Sequence, residues 1–193
     1  MNYLAHIFLS DGQPEIMIGN FIADSIKGSK YNVYPAEIQK GILLHRQIDT
    51  MTDAHPAFRN STKRLHKNYG HYSGIIVDIF YDHFLAKNWT DYSDVPLADY
   101  IQEFYKILRN NFELLPDNIQ KMTPLMMESN WLLSYAGLEG IDRVLGGMNR
   151  RTKNRSGMDK AGQELREFYT LFEADFKVVM KDLQKLSTAY LAA

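Results

Sequence analysis

The chain contains no cysteine among its 193 residues, and that absence excludes several chemistries at once. A disulfide scaffold, a thiolate-bound zinc and a cysteine nucleophile are all ruled out. Any metal must be held by histidine, carboxylate, amide or water. No apolar run approaches the roughly 18 residues that a membrane span requires. The opening Met1-Asn2-Tyr3-Leu4-Ala5-His6 lacks a basic stretch, so it does not read as a secretory signal, and a soluble cytoplasmic protein is expected. The net charge of −1 shows no excess of either sign, which argues against a nucleic-acid-coating protein and provides no long-range steering. There is also no G-x-S-x-G, Walker A or G-x-G-x-x-G sequence, and no pair of E-x-x-H motifs for a di-iron bundle.

What is present is helical. With 45% hydrophobic residues the chain can bury a proper core, and one all-α domain over residues 1–193 is the economical reading. Pro35 opens a segment in which Ile38, Ile42, His45 and Asp49 recur at helical spacing. A second helix is expected from Gly74 to about Trp89, and a third after Pro96, with Leu97, Tyr100, Ile101, Phe104, Tyr105 and Leu108 on one side. A last sustained period runs through Leu165, Phe168, Leu171, Phe172, Phe176, Val179, Leu183 and Leu186. Alternating strand patterns, repeats and low-complexity tracts are missing. The segment from Asn149 to Gly157, polar and strongly basic, reads as a flexible loop.

The informative residues are polar ones inside apolar helices. In Ile16-Met17-Ile18-Gly19-Asn20-Phe21-Ile22-Ala23-Asp24, Asn20 and Asp24 stand four apart and so share a face. The Ile38/Ile42 stripe runs directly into His45 and Asp49. In Ile75-Ile76-Val77-Asp78-Ile79-Phe80-Tyr81-Asp82-His83-Phe84-Leu85, Asp78 and Asp82 repeat the four-residue spacing in a run too apolar for a solvated face. A buried carboxylate without a partner costs several kcal/mol, so such groups are kept when paired or metal-bound. Taken singly, each has a plainer reading as an internal hydrogen bond or ion pair, for example Asp49 with Arg46. Taken together, three helices each offering an i, i+4 polar pair describe a shared centre of the kind that helical bundles build in their cores. His6 lies in a short segment that suits either a satisfied core histidine or a ligand. Asp53 is read as solvating a helix end, and His55, His66 and His71 as surface residues.

Oxygen and nitrogen ligands suit Mn²⁺, Mg²⁺, Fe²⁺ or Zn²⁺, and a carboxylate-rich mixture favours Mn²⁺ or Mg²⁺. Such ions polarise phosphoryl oxygens and acidify bound water. Arg46, beside His45, has the donor fork that suits a phosphate; its alternative is an ordinary surface arginine. The residues therefore favour phosphoester hydrolysis without separating diesters, monoesters and nucleotides. A non-catalytic helical binding module is the remaining alternative.

The blocks Met1–His6, Gly19–Asp24 with Lys27-Gly28, Gly41–Asp49 with Thr52-Asp53, and Asp78–Leu85 with Trp89 resemble the acyl carrier protein phosphodiesterase, or ACP hydrolyase, family. Trp131-Leu132 and Gly147-Met148 are weaker marks of the same likeness. The resemblance implies a helical fold distantly similar to the HD-domain phosphohydrolases and a divalent cation, typically Mn²⁺. It also implies hydrolysis of the phosphodiester joining 4'-phosphopantetheine to a serine of holo-acyl carrier protein. It places metal or catalytic roles on Asp24, His45, Asp49, Asp78, Asp82 and His83. His6 is added as a metal ligand, and the catalytic residues expected are Asp24, Asn20, Arg46 and Asp82. The chain has no His-Asp dipeptide, only the reversed Asp82-His83, so ligands are not copied from HD enzymes at large. Acyl carrier proteins are acidic, and a basic docking surface is expected. Arg143, Arg150, Arg151, Lys153 and Arg155 are the densest basic segment, with Lys63, Arg64 and Lys67 a second.

Overall fold

The computed structural model describes residues 1–193 as eleven α-helices linked by short 3-10 turns, with no strand. The first is a short helix of under two turns, α1 (Tyr3–Phe8), and the next, α2 (Pro14–Ile22), starts on a proline whose missing N–H costs nothing at that position. Then come α3 (Ala36–Ala54), α4 (Pro56–Tyr69) and α5 (Ser73–Lys87). The second half holds α6 (Leu97–Asn110), α7 (Asp117–Glu128), α8 (Trp131–Ser134), α9 (Leu138–Arg151), α10 (Gly162–Glu167) and the long α11 (Tyr169–Ala192).

Helix α5 is apolar nearly all round, and a helix of that kind must be central. It packs against α1, α4, α9 and α11. Phe80 meets Phe172 edge-on with centroids 5.1 Å apart, and Tyr81 meets Phe176 at 5.6 Å, so aromatic rings lock α11 to the centre. Helix α4 buries Phe58, Ser61, Leu65 and Tyr69. Its one polar core member, Ser61, is satisfied by Tyr81 Oη at 3.0 Å and Asp175 Oδ2 at 2.9 Å.

The crossing of α2 and α3 is set by two glycines. A Cβ on Gly19 would strike the Ile38 carbonyl oxygen and sit 2.9 Å from Gly41 Cα. A Cβ on Gly41 would strike the Ile16 carbonyl oxygen and sit 3.0 Å from Gly19 Cα. The two backbones therefore touch, one residue from Asn20 on α2 and one turn from His45 on α3.

Three expectations need correction. The final apolar period is two helices, because Phe168, at φ −107° and ψ 25°, breaks it between α10 and α11; the apolar spacing survives the break, which is why periodicity does not reveal it. Residues 149–157 are the end of α9 and a tight turn wound around Asn149. Its Oδ1 accepts from Ser156 Oγ and the Gly157 N–H, while its Nδ2 donates to Asp159 at 2.8 Å. His55 is half-buried and accepts the Ala57 N–H at 3.1 Å as a cap for α4, whereas His66 and His71 are exposed as expected.

Adding one methyl group at the crossing is expected to be costly. Gly41→Ala raises helix propensity by about 1 kcal/mol yet forces two backbones apart, a kind of overpacking that typically costs about 1–3 kcal/mol. A urea midpoint below that of the wild type is the expected result; an unchanged or higher midpoint would mean the helices can part freely.

Candidate metal centre

Four of the sequence-selected residues converge: His6 from α1, Asp24 just after α2, and His45 and Asp49 from α3. His45 Nε2 lies 3.1 Å from Asp24 Oδ1 and 3.0 Å from Asp49 Oδ2, and His6 Nε2 lies 3.2 Å from Asp49 Oδ1. Donor atoms of His6, His45 and Asp49 all fall within 4.8 Å of one another. The two imidazoles stack with centroids 3.8 Å apart and planes 14° off parallel. Both rings are buried, Asp49 is 41% exposed at its side chain and Asp24 is 76% exposed, so the cluster opens to solvent on the Asp24 side.

Asn20 explains why both rings face the same way. His6 Nδ1 is 2.8 Å from the Asn20 side-chain oxygen, and His45 Nδ1 is 2.8 Å from the Asn20 backbone oxygen. Neither oxygen can donate, so both Nδ1 atoms carry the proton. The Asn20 amide cannot be flipped, because its Nδ2 donates to the His6 carbonyl at 2.7 Å and to Ser10 Oγ at 3.1 Å. Each neutral ring therefore presents the Nε2 lone pair to the cluster, the arrangement in which an outer partner fixes a ligand's tautomer. Asn20 is fully buried behind the rings and positions them; it is not the reacting group expected from sequence. Ser10 belongs to the same network and carries no sequence signal beyond being a small polar residue after α1.

The other selected residues have different employment. Asp82 is buried, and both its oxygens accept backbone N–H groups at the start of α1, from Leu4 at 2.8 Å and Ala5 at 3.1 Å. It caps a helix and is not a ligand of the cluster. His83 donates from Nδ1 to the Tyr135 carbonyl at 2.7 Å, which leaves Nε2 to accept the Tyr169 hydroxyl at 2.8 Å, so both its nitrogens are used elsewhere. Asp78 pairs with the Met1 ammonium at 2.8 Å; the same ammonium is 3.8 Å from Asp49, so Asp78 borders the cluster without joining it. Arg46 gives its Nη2 to the Ile26 and Gly28 carbonyls and lies 5.2 Å over the Tyr31 ring. It braces the loop that follows Asp24 and is not a free phosphate clamp. Asp53 is exposed at the end of α3, as expected.

Electrostatics follow from this crowding. Burial alone lowers His45, but its hydrogen bonds to Asp24 and Asp49 prevail and raise it to about 9. Burial and the positive His45 hold His6 down at about 4. The hydrogen bond from His45 keeps Asp24 below its ordinary range. Burial works against charge on Asp49, yet His45 and His6 hold it well below the carboxylate range. Away from the cluster, burial pushes Asp82 up to about 7 despite its two backbone donors.

A profile of the family described as acyl carrier protein phosphodiesterase matches residues 1–183. The chain belongs to the acyl carrier protein phosphodiesterase family. It is similar to the protein of that name from Photorhabdus laumondii, at 32% identity over 179 residues, 91% of this chain and 89% of the relative. It is likewise similar to the one from Yersinia pestis, at 34% over 155 residues, 79% of this chain and 80% of the relative. The Klebsiella pneumoniae protein is 33% identical over 187 residues, covering 91% and 92%. No solved structure matches the chain. The matched span, residues 1–183, contains every residue of the cluster.

Two measurements probe this geometry. In metal-free protein, the raised His45 stabilises the fold fully below its unfolded value of about 6.5. That contribution fades as pH rises through about 9. A melting curve kept in chelator should therefore lose stability between pH 6.5 and 9, and His45→Gln should remove that alkaline slope; an equal slope in the variant refutes the assignment. Asp82→Ala should lower stability by about 1–2 kcal/mol, as loss of a helix cap does. If the cluster holds a divalent ion, Asp49→Ala should weaken its binding far more than Asp82→Ala does, in a protein that stays folded by circular dichroism.

Proposed function

We propose that this protein is a divalent-metal-dependent hydrolase that cleaves the phosphodiester between 4'-phosphopantetheine and the carrier serine of holo-acyl carrier protein. The observation that carries this reading is the pair of histidines turned by Asn20 so that both Nε2 atoms face two carboxylates, in a chain of the acyl carrier protein phosphodiesterase family.

The donor set fits a cation. His6 Nε2 is buried and finds no hydrogen-bond partner in the protein, although Asp49 Oδ1 lies nearby. His6, His45, Asp24 and Asp49 supply two nitrogens and two oxygens, a set that suits Mn²⁺ first, with Mg²⁺ or Fe²⁺ as alternatives. When bound, such an ion polarises the phosphoryl oxygens and lowers the pKa of water beside it.

The side chains do the rest. Asn20 holds the rings, so no reorganisation is needed as charge develops on phosphorus. Asp24 is the exposed member, so its carboxylate can orient the attacking water and accept its proton. Water adds to phosphorus, the P–O bond to the serine breaks, and the serine oxygen leaves with the proton that Asp24 took from the water. The products are apo-carrier and free 4'-phosphopantetheine. Arg143, Arg150, Arg151, Lys153 and Arg155 are all exposed, and the Asn149-centred turn presents the last of them in a defined arrangement. They suit an acidic carrier. Of the second basic group, Arg64 is tied to Asp175 at 2.5 Å and lies 5.5 Å from the Phe172 ring, which leaves only Lys63 and Lys67 free. No helix is long and apolar enough to cross a membrane.

Incubating holo-carrier with the protein and Mn²⁺ should lower the carrier's mass by its prosthetic group. An unchanged mass across several carriers and metals would overturn the reading. Reversing Arg150, Arg151 and Arg155 to glutamate together should raise KM for the carrier about tenfold, more at low salt. Retained KM would favour a small phosphoester as the substrate instead.

A further inference from the structure

A cleft of about 500 Å³ lies between α7 and α9, with α8 as its end wall. That volume is within the range of small-molecule sites. Its walls include Met122, Leu125 and Trp131, with Arg143 and Arg151 at the rim and Gly147 on α9. The hydrolytic cluster does not use it.

The cleft adjoins the cluster at its open side. Asn118, which lines the cleft, donates to Ser25 Oγ at 2.8 Å, and Ser25 follows Asp24 directly. Tyr3 stands between the two sites: its ring meets Trp131 edge-on at 6.1 Å, and its hydroxyl donates to Met122 Sδ at 3.8 Å. Burial first, then the charge of Asp24, raise the Tyr3 phenol while Arg151 lowers it, so both ends of the system act on this one ring.

Gly147 supplies a second line of argument. A glycine inside a helix costs about 1 kcal/mol relative to alanine. At Gly19 and Gly41 close backbones exact that cost. At Gly147 an added Cβ would meet only the mobile tip of Arg150, 3.8 Å away. Internal packing therefore does not require glycine there, and what it keeps clear is the cleft.

We infer that the α7–α9 cleft is the subsite for the pantetheine arm of the substrate, with Gly147 as its clearance and Trp131, Met122 and Leu125 as its apolar walls. This rests on the proposed hydrolysis of holo-carrier. The arm is uncharged and carries a gem-dimethyl group, two amides and a terminal sulfur, so apolar walls with a few polar groups match it. The phosphate end lies toward Asp24, and the basic rim faces the acidic carrier.

The test uses the full chain, with Gly147→Leu as the blocking variant and Gly147→Ala as the conservative one. Gly147→Leu should keep or raise Tm and keep Mn²⁺ affinity, while kcat/KM for holo-carrier falls at least tenfold; Gly147→Ala, which adds one methyl group to the cleft, should fall between it and the wild type. Free pantetheine, titrated calorimetrically, should bind the wild type and bind Gly147→Leu at least tenfold more weakly. Wild-type hydrolysis of holo-carrier by a protein that binds no pantetheine would overturn the subsite and leave the activity standing. Pantetheine binding without release of phosphopantetheine would do the reverse. Gly147→Leu with wild-type kcat/KM, or with its Mn²⁺ affinity lost, would also overturn the inference.

Discussion

Everything in the candidate centre depends on one buried amide. Asn20 offers its side-chain oxygen to one imidazole and its backbone oxygen to the other, and spends its side-chain N–H groups on the His6 carbonyl and Ser10. Had either ring been free to turn, its Nε2 would have met apolar core in place of the carboxylates. The backbone oxygen reaches the His45 ring because α2 and α3 touch, and they can touch because Gly19 and Gly41 carry no side chain. A steric fact about two glycines thus becomes a statement about which nitrogen of His45 bears a proton.

Helix α1 shows the same dependence from another direction. At six residues it is too short to persist on its own. Its first N–H groups are held by Asp82 from the central helix, and its tail by Asn20 through the His6 carbonyl. His6 is thereby placed by groups on α2 and α5 more than by its own helix. Asp82 accepts a raised pKa in return, and its burial is tolerable because two backbone donors face it.

The stripe Ile38, Ile42, His45, Asp49 and the pair Asn20, Asp24 were legible in the sequence because polar residues interrupted long apolar periods. His6 was ambiguous for a physical reason: fewer than two helical turns surround it, too few to show a period. Asp82 and His83 carried the same signal as true cluster members and meant something else. A buried carboxylate that caps a distant helix and one that faces a cluster look identical in one dimension, since the amides that settle the matter belong to Leu4 and Ala5. Arg46 misled similarly, because its carbonyl partners lie in a loop with no pattern of its own. The cleft itself was not legible: Trp131 and Gly147 stood out only as weak marks of the family likeness, Arg143 only as part of a basic segment, and Met122 not at all, because the walls come together only when α7, α8 and α9 pack.

The division of labour along the chain has a consequence for how such an enzyme changes over time. The cluster is drawn from the first 49 residues, while the cleft and the basic turn come from residues 118–155. The two regions touch through Tyr3 and through the Asn118–Ser25 bond, and by little else described above. Substitutions that reshape the cleft or the basic turn can therefore accumulate in α7 to α9 while the histidines and carboxylates stay where they are. The two regions can vary separately in this fold, and a lineage can drift in one without disturbing the geometry of the other.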